Sequence, residues 1–320
     1  MTQQGVAVRP VADEPAARKR SPRRGLTMTR RQALWCYVFI APAVLGLLLF
    51  SLGPMLASLG LSFTSYDMLT NPVWIGGQNY SALVADPVFR KALSVTLIYG
   101  VVSVPATMIL ALVLAIMLNS KLPALKFFRS AYYLPSVISG VAVAMVWKWM
   151  FNGEYGLINS ALAKIGIDGP SWLTDERWAL RALIFMSLWG FGGTMLIYLA
   201  GLQGVPKELY EAARVDGAST FRQHLHVTVP MLSSVTFFNL IMGIINSLQV
   251  FAEPFVLTQG GPNNSTLLLS VYLYQNAFQY LKMGYASAIA WVAFAIILVL
   301  TLLVFRSMPM WVHTETEDER

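Results

Sequence analysis

The residues able to do covalent or metal chemistry are few and scattered. The histidines are His224, His226 and His313, and the single cysteine is Cys36. Two histidines at i and i+2 on a helix point to different sides and do not make a metal pair. One cysteine allows no internal disulfide and no cysteine-based zinc site. The phosphate-binding pattern G-x-x-x-x-G-K-[ST] is missing from the sequence, so any ATP the chain depends on is held by another chain. No acid, base and nucleophile gather at one level, as an enzyme would require. The notable polar groups stand instead inside apolar runs. "NSLQVFAE" carries Asn246, Ser247, Gln249 and Glu253 with Phe251 nearby, and "WGFGGT" carries Trp189, Gly190, Phe191, Gly192, Gly193 and Thr194. Such residues either line a polar cavity or pack and hydrogen-bond other helices, and both readings stand at this point.

The elements that hold them follow from composition. Of 320 residues, 56% are hydrophobic and only 12% charged, with a mean hydropathy of +0.57. This is an integral membrane protein with an all-α fold. A hydrocarbon core about 30 Å thick needs roughly 20 apolar helical residues to cross it. Six runs of that kind occur, at about 33–63, 92–118, 127–151, 179–202, 231–252 and 285–305. Pro42, Pro54, Pro105 and Pro135 predict local kinks rather than failed spans.

Orientation follows from the cations. Residues 1–31 form a basic tail, expected to be disordered, that includes Arg18, Lys19, Arg20, Arg23, Arg24, Arg30 and Arg31. Such clustering beside a first span holds that end in the cytoplasm and is read as a topology determinant, not as a nucleic-acid-binding arm. Lys121, Lys126 and Arg129, then Lys207, Arg214 and Arg222, fall in the connections that share its side. Both termini are therefore expected inside, with 32–310 as the six-span domain and 311–320 as a solvated acidic tail. The first run is too long for a signal-peptide core and lacks a cleavage site, so it is read as an uncleaved span.

One connection is unusually polar for so greasy a chain. Residues 204–230 contain "ELYEAARVDGASTFRQHLHVTVP" and read as two short helices with a hinge. Pro206 suits a first helical position, Glu208 and Glu211 suit its dipole, and Gly217 ends the helix. "TFRQ", residues 220–223, reads as a capping box opening a second helix that Pro230 closes. Ala212 and Ala213 leave room for another surface to approach.

Glu211, Ala212 and Ala213, then Gly217, then Val227, Val229 and Pro230 together resemble the Glu-Ala-Ala signature of permease subunits of ABC importers. The family usually has Ile and Leu where this chain has Val, which keeps the apolar character. "LTQGGP" at 257–262 looks like an element of the carbohydrate-uptake branch, in the subunit type related to the larger maltose permease chain. "GLINSAL" at 156–162 and Trp172-Leu173 also resemble that branch. The resemblance spans the first run to the last.

It implies a type I importer permease in a prokaryotic plasma membrane, paired with a sister permease, two ATPase subunits that hold ATP and Mg, and an extracytoplasmic solute-binding protein. The solute-binding protein would meet loops 64–90, 152–176 and 254–282. Residues 204–230 would be the ATPase-coupling segment: Glu211 pairs with a cation, Ala212 and Ala213 allow close approach, Gly217 turns the chain, and Asp216 and Pro230 complete the site. The implied solute is a sugar, most simply a di- or oligosaccharide. Trp189, Gly190, Gly193, Ser247 and Val250 would then align with cavity-facing positions. Asn246, Gln249 and Glu253 join them by their chemistry, because amides and aromatic faces hold sugars. Two alternatives stay open. The same machinery would import a glycerol phosphate if Lys148 faced the cavity instead of snorkelling. An ion-coupled secondary sugar carrier would need acidic relay residues within the spans, where Glu253, at an outer end, is the nearest carboxylate.

Overall fold

The computed structural model describes residues 30–120 and 124–312. Expectations for the tails, 1–31 and 311–320, lie outside these residues apart from Arg30, Arg31, Trp311 and Val312, and so does that for Lys121. The chain divides after Pro54 into two compact units.

The first unit begins with α1, Arg30–Leu47, followed by one wide π turn, Leu48–Leu52. There the Gly53 N–H bonds Leu48 O, five residues back, and Pro54, next in line, has no N–H to offer. The helix widens at this proline instead of breaking. α2, Gly53–Leu61, continues it, and Trp35–Leu61 is long and apolar enough to span a membrane.

In the second unit, β1 (Thr64–Ser65) pairs antiparallel with β2 (Val73–Trp74), Thr64 opposite Trp74, and the short α3 follows, Gln78–Ala85. α4, Pro87–Leu118, is an unbroken helix of 32 residues despite Pro105. At 1.5 Å per residue it is about 48 Å long. Asp86 caps it, accepting the Val88 N–H at 2.8 Å, and Pro87 takes a first-turn position where no N–H is required.

The expected third span is not one straight helix. α5, Leu125–Val137, and α6, Gly140–Met150, meet at 97°. Pro135 sits in the last turn of α5 and Ile138 is extended, so the chain turns at Ile138–Ser139. α7 (Leu157–Lys164) lies in the next connection. The fourth expected span is also split: α8, Glu176–Ser187, passes through a 3-10 turn at Leu188–Gly190 into α9, Gly192–Gln203, with a bend of 44°. α10 (Lys207–Val215), α11 (Thr220–Gln223), a π turn and α12 (Val229–Met231) follow. α13, Ser233–Gln249, is separated from α14, Ala252–Leu257, by a break at Val250–Phe251. α15 (Leu269–Tyr274), another π turn and the long α16 (Met283–Trp311) complete the chain. By length and composition, four helices can cross a membrane, or up to six if each bent pair is one span.

Two apolar clusters hold the second unit together. One joins Leu83, Val95, Tyr99, Trp147, Met186, Leu268 and Ile289; the other joins Ala111, Ala115, Met195, Tyr198, Leu199 and Leu232. α4 runs through both. Its close neighbour α13 approaches through glycine: a side chain at Gly243 would meet Val104 Cγ1 at 2.7 Å, and one at Gly100 would meet Ser247 Oγ at 3.0 Å. Small residues are what let membrane helices pack closely, because lipid offers no hydrophobic drive between them.

Polar contacts tie the connections to this frame. Asp86 also accepts hydrogen bonds from the hydroxyls of Tyr272 and Tyr285, the latter at 2.8 Å, linking the start of α4 to α15 and α16. Asn159 accepts the Trp172 indole N–H at 2.6 Å and donates to Gly153 O and Pro170 O at 2.9 and 3.2 Å. The "GLINSAL" and Trp172 elements thus act here as a loop clamp. In "LTQGGP", Gly260 has φ +94° and packs where a side chain would strike Leu267 at 2.7 Å, so only glycine fits.

Candidate functional site

Three helix breaks of the second unit meet at one cavity of about 290 Å³. Ile138 and Gly140 come from the α5–α6 turn, Trp189 and Gly190 from the 3-10 turn between α8 and α9, and Val250 and Glu253 from the break after α13. Tyr99 of the unbroken α4, Ser136 and Ser187 complete the polar wall. A helix end frees backbone N–H and C=O groups, which membrane proteins tolerate only inside protein or along a cavity. The cavity is lined by hydroxyls, the Trp189 ring and one carboxylate, Glu253.

Each wall has a local cause. Trp189 is 51% exposed yet held edge-on by Trp147, with ring centroids 5.9 Å apart. Gly190 and Gly193 face open space, whereas Gly192 is pressed against the backbone of Tyr132 and Tyr133. The "GFGG" run thus does both jobs considered for it, helix packing at Gly192 and free space at its neighbours. A side chain at Gly140 would come within 2.7 Å of Glu253 Oε1, so the carboxylate lies against this glycine. Ser270 donates to Val250 O, satisfying a carbonyl freed by the break.

The sequence-derived solute residues are not all brought together. Trp189, Gly190, Val250 and Glu253 share the cavity. Gly193, the second residue of α9, has open space beside it. Ser247 is buried against α4 and donates to Ile244 O at 3.0 Å. Asn246 is exposed, and Gln249 lines a separate apolar recess with Phe251, Leu269 and Tyr274. The break at Val250 turns Gln249 and Glu253 to different sides. Tyr99, Ser136, Gly140 and Ser187 were not singled out from sequence; the Pro135 and Ser139-Gly140 pair inside an apolar run was the available signal. Lys148 does not line the cavity: its Nζ donates to Val256 O at 3.1 Å, and it borders a different recess with Glu154 and Trp172.

Residues 204–230, the segment the sequence singles out for coupling, carry α10, α11 and the start of α12. Glu211, Ala212, Asp216 and Gly217 are exposed and Ala213 half-buried. The segment also exposes Val215, Phe221 and Leu225, 88%, 76% and 50% open. Gly217 has φ +76° and ends α10, where the Ala218 N–H returns to Ala213 O at 2.9 Å. Three details differ from the sequence expectation. Pro206 is the N-cap of α10, not its first helical residue. Ser219, without a side-chain bond, precedes α11, and Gln223 turns back to donate to Ala218 O at 2.8 Å, so no capping box forms. Pro230 does not close the helix: the π turn His224–Thr228 precedes it, repeating the arrangement at Pro54, and α12 carries on.

Tyr210 and Thr228, both unforeseen, anchor this segment. Their hydroxyls lie 2.8 Å apart, His224 Nδ1 is 3.0 Å from Thr228 Oγ1, and Thr228 is fully buried. His226 Nδ1 lies instead near Arg222 O, at 3.1 Å. Through α9 and α13, which flank the segment in sequence, it connects to two of the three breaks that line the cavity.

The family described as "Binding-protein-dependent transport system inner membrane component" matches residues 107–311. The chain is 42% identical to the probable ABC transporter permease protein YesP of Bacillus subtilis, over 91% of this chain and 95% of that protein. It is 38% identical to the arabinooligosaccharides transport system permease protein AraP of the same organism, over 90% and 92%. The fold is similar to that of a bacterial ABC transporter involved in import of the acidic polysaccharide alginate, with a TM-score of 0.75, 25% identity, and 88% and 96% of the two chains covered.

Proposed function

Because this chain belongs to the binding-protein-dependent transport system inner membrane components, transport subunits spanning the prokaryotic plasma membrane several times, we propose that it is the permease of an ATP-driven importer of di- or oligosaccharides. The sugar assignment is supported by the arabinooligosaccharide relative and by a cavity with an aromatic face and several hydroxyls. In this reading the bent pairs are single spans, giving six, and both termini lie in the cytoplasm. A sister permease completes a heterodimer, and two ATPase subunits bind ATP and Mg. A solute-binding protein delivers sugar to loops 64–90, 152–176 and 254–282.

The observation that carries the proposal is the path between the two sites. α10–α12 lies between α9 and α13, and each of those helices ends at a break lining the cavity. Glu211, pairing with a cation on the ATPase, and Ala212 and Ala213, allowing close approach, would dock the segment; Gly217, Asp216 and Pro230 shape it. ATP-driven closure then moves α9 and α13 as levers, and a ligand can shift such an equilibrium only if it favours one state, here the outward-open one. The test is affinity isolation of the tagged chain from native membranes in mild detergent, with mass spectrometry. We expect a second permease and an ATPase with a phosphate-binding loop. Isolation of this chain alone, with uptake persisting after ATP depletion, would overturn the importer reading and put the secondary carrier first.

A further inference from the structure

We infer that Glu253 is a charge filter, so that the cavity accepts uncharged saccharides and rejects anionic ones. The inference rests on the cavity being the solute site and names what that site selects. Glu253 is the one charged side chain among the described residues lining the cavity, where no lysine, arginine or histidine accompanies it. The ion pair of the described residues is Arg177–Asp175, so Glu253 has no salt-bridge partner among them. Lys148, the cation the sequence offered for this cavity, borders a different recess and donates to Val256 O there. Gly140 makes room for the carboxylate, since any side chain there would displace Oε1.

An unpaired carboxylate among hydroxyls has free acceptor positions for the hydroxyls of a sugar, two oxygens for neighbouring groups. A glutamine would hold a neutral sugar in the same place. What the carboxylate adds is repulsion of a second negative charge in a site partly shielded from water, and like-charge juxtaposition is a common device of specificity. A glycerol phosphate or a uronic acid would meet this repulsion with no cation among the lining residues to offset it. The acidic polysaccharide imported by the structurally similar transporter does not bear on this point, because a shared fold leaves the side chains of a site free to differ.

The test is saturation-transfer NMR on the full permease and ATPase assembly in nanodiscs, without a solute-binding protein, so that only the permease selects. The probes are cellobiose and its 6-carboxyl counterpart, cellobiouronic acid. The wild-type assembly should bind cellobiose at least about tenfold more tightly, and Glu253→Gln should bring the two within about twofold. Equal binding of both by the wild type overturns the filter, and so does a gap that Glu253→Gln leaves unchanged. Should the variant fail to assemble, the wild-type comparison decides alone. Silence from both probes against an intact assembly overturns the cavity assignment itself and the filter with it, which separates the two failures.

Discussion

Asp86 shows how one side chain can do several structural jobs. It caps α4 and receives the Tyr272 and Tyr285 hydroxyls. Burial works against its charged form, but the hydrogen bonds from Tyr272, Tyr285 and the Val88 N–H prevail, and the carboxyl is held below its usual value. A carboxyl depressed in the folded state contributes stability above its unfolded value, about 3.9, and loses it as pH falls through the folded one. Asp86→Asn should therefore melt below the wild type at neutral pH. The difference should shrink below about pH 4, and thermal melting across pH reads it. A constant difference across that range would show that the charge contributes nothing. Asp86 was visible in the sequence only as an acid in a loop, because its partners lie nearly two hundred residues away.

At the scale of the element, glycines separate into those that pack and those that leave space. Gly243 on α13 faces Val104 on α4, and a valine there would force the two helices apart. Such overpacking costs about 1–3 kcal/mol. Gly193, in the first turn of α9, faces open space, so Gly193→Ala should be neutral or slightly stabilising, by less than the roughly 1 kcal/mol that alanine gains over glycine in a helix interior. Melting of the two variants in detergent checks the contrast, and equal losses would contradict it. Sequence offered Gly193 as a cavity-facing candidate by resemblance, but left Gly243 as a glycine in an apolar run. The prolines also differ once folded: Pro105 sits in an unbroken helix, Pro54 and Pro230 each follow a π turn, and Pro135 precedes a 97° bend. A missing N–H can be absorbed by widening, by a neighbour or by ending the helix, and packing selects among them.

For the whole molecule, the proposed mechanism requires the cavity to change the side it opens to. Cys36 is the sole cysteine, so Cys36→Ser leaves a background for one reporter thiol. Trp189→Cys in that background, within the full assembly in sealed vesicles, should react with an impermeant thiol reagent from the outer face only when ATP is bound without hydrolysis. Reaction from that face regardless of ATP would contradict alternating access. The path from α10 through α9 ends beside this residue, which makes it a sensitive position.

Sequence alone determined the membrane class, the apolar runs and the family, since these are carried by composition, run length and local spacing. Each is a property of contiguous residues. It also marked Trp189, Gly190, Val250 and Glu253, which the fold does bring to one cavity. Tertiary structure alone decided that three runs break at the same place, that Gln249 turns away from Glu253, that Lys148 is bound elsewhere, and that Gly140 makes room for the carboxylate. The physical reason is that the direction of a side chain beyond a helix break depends on the backbone angles at the break. Those angles are set by neighbours such as Ser270 and Tyr132, remote in the chain and close only once it has folded.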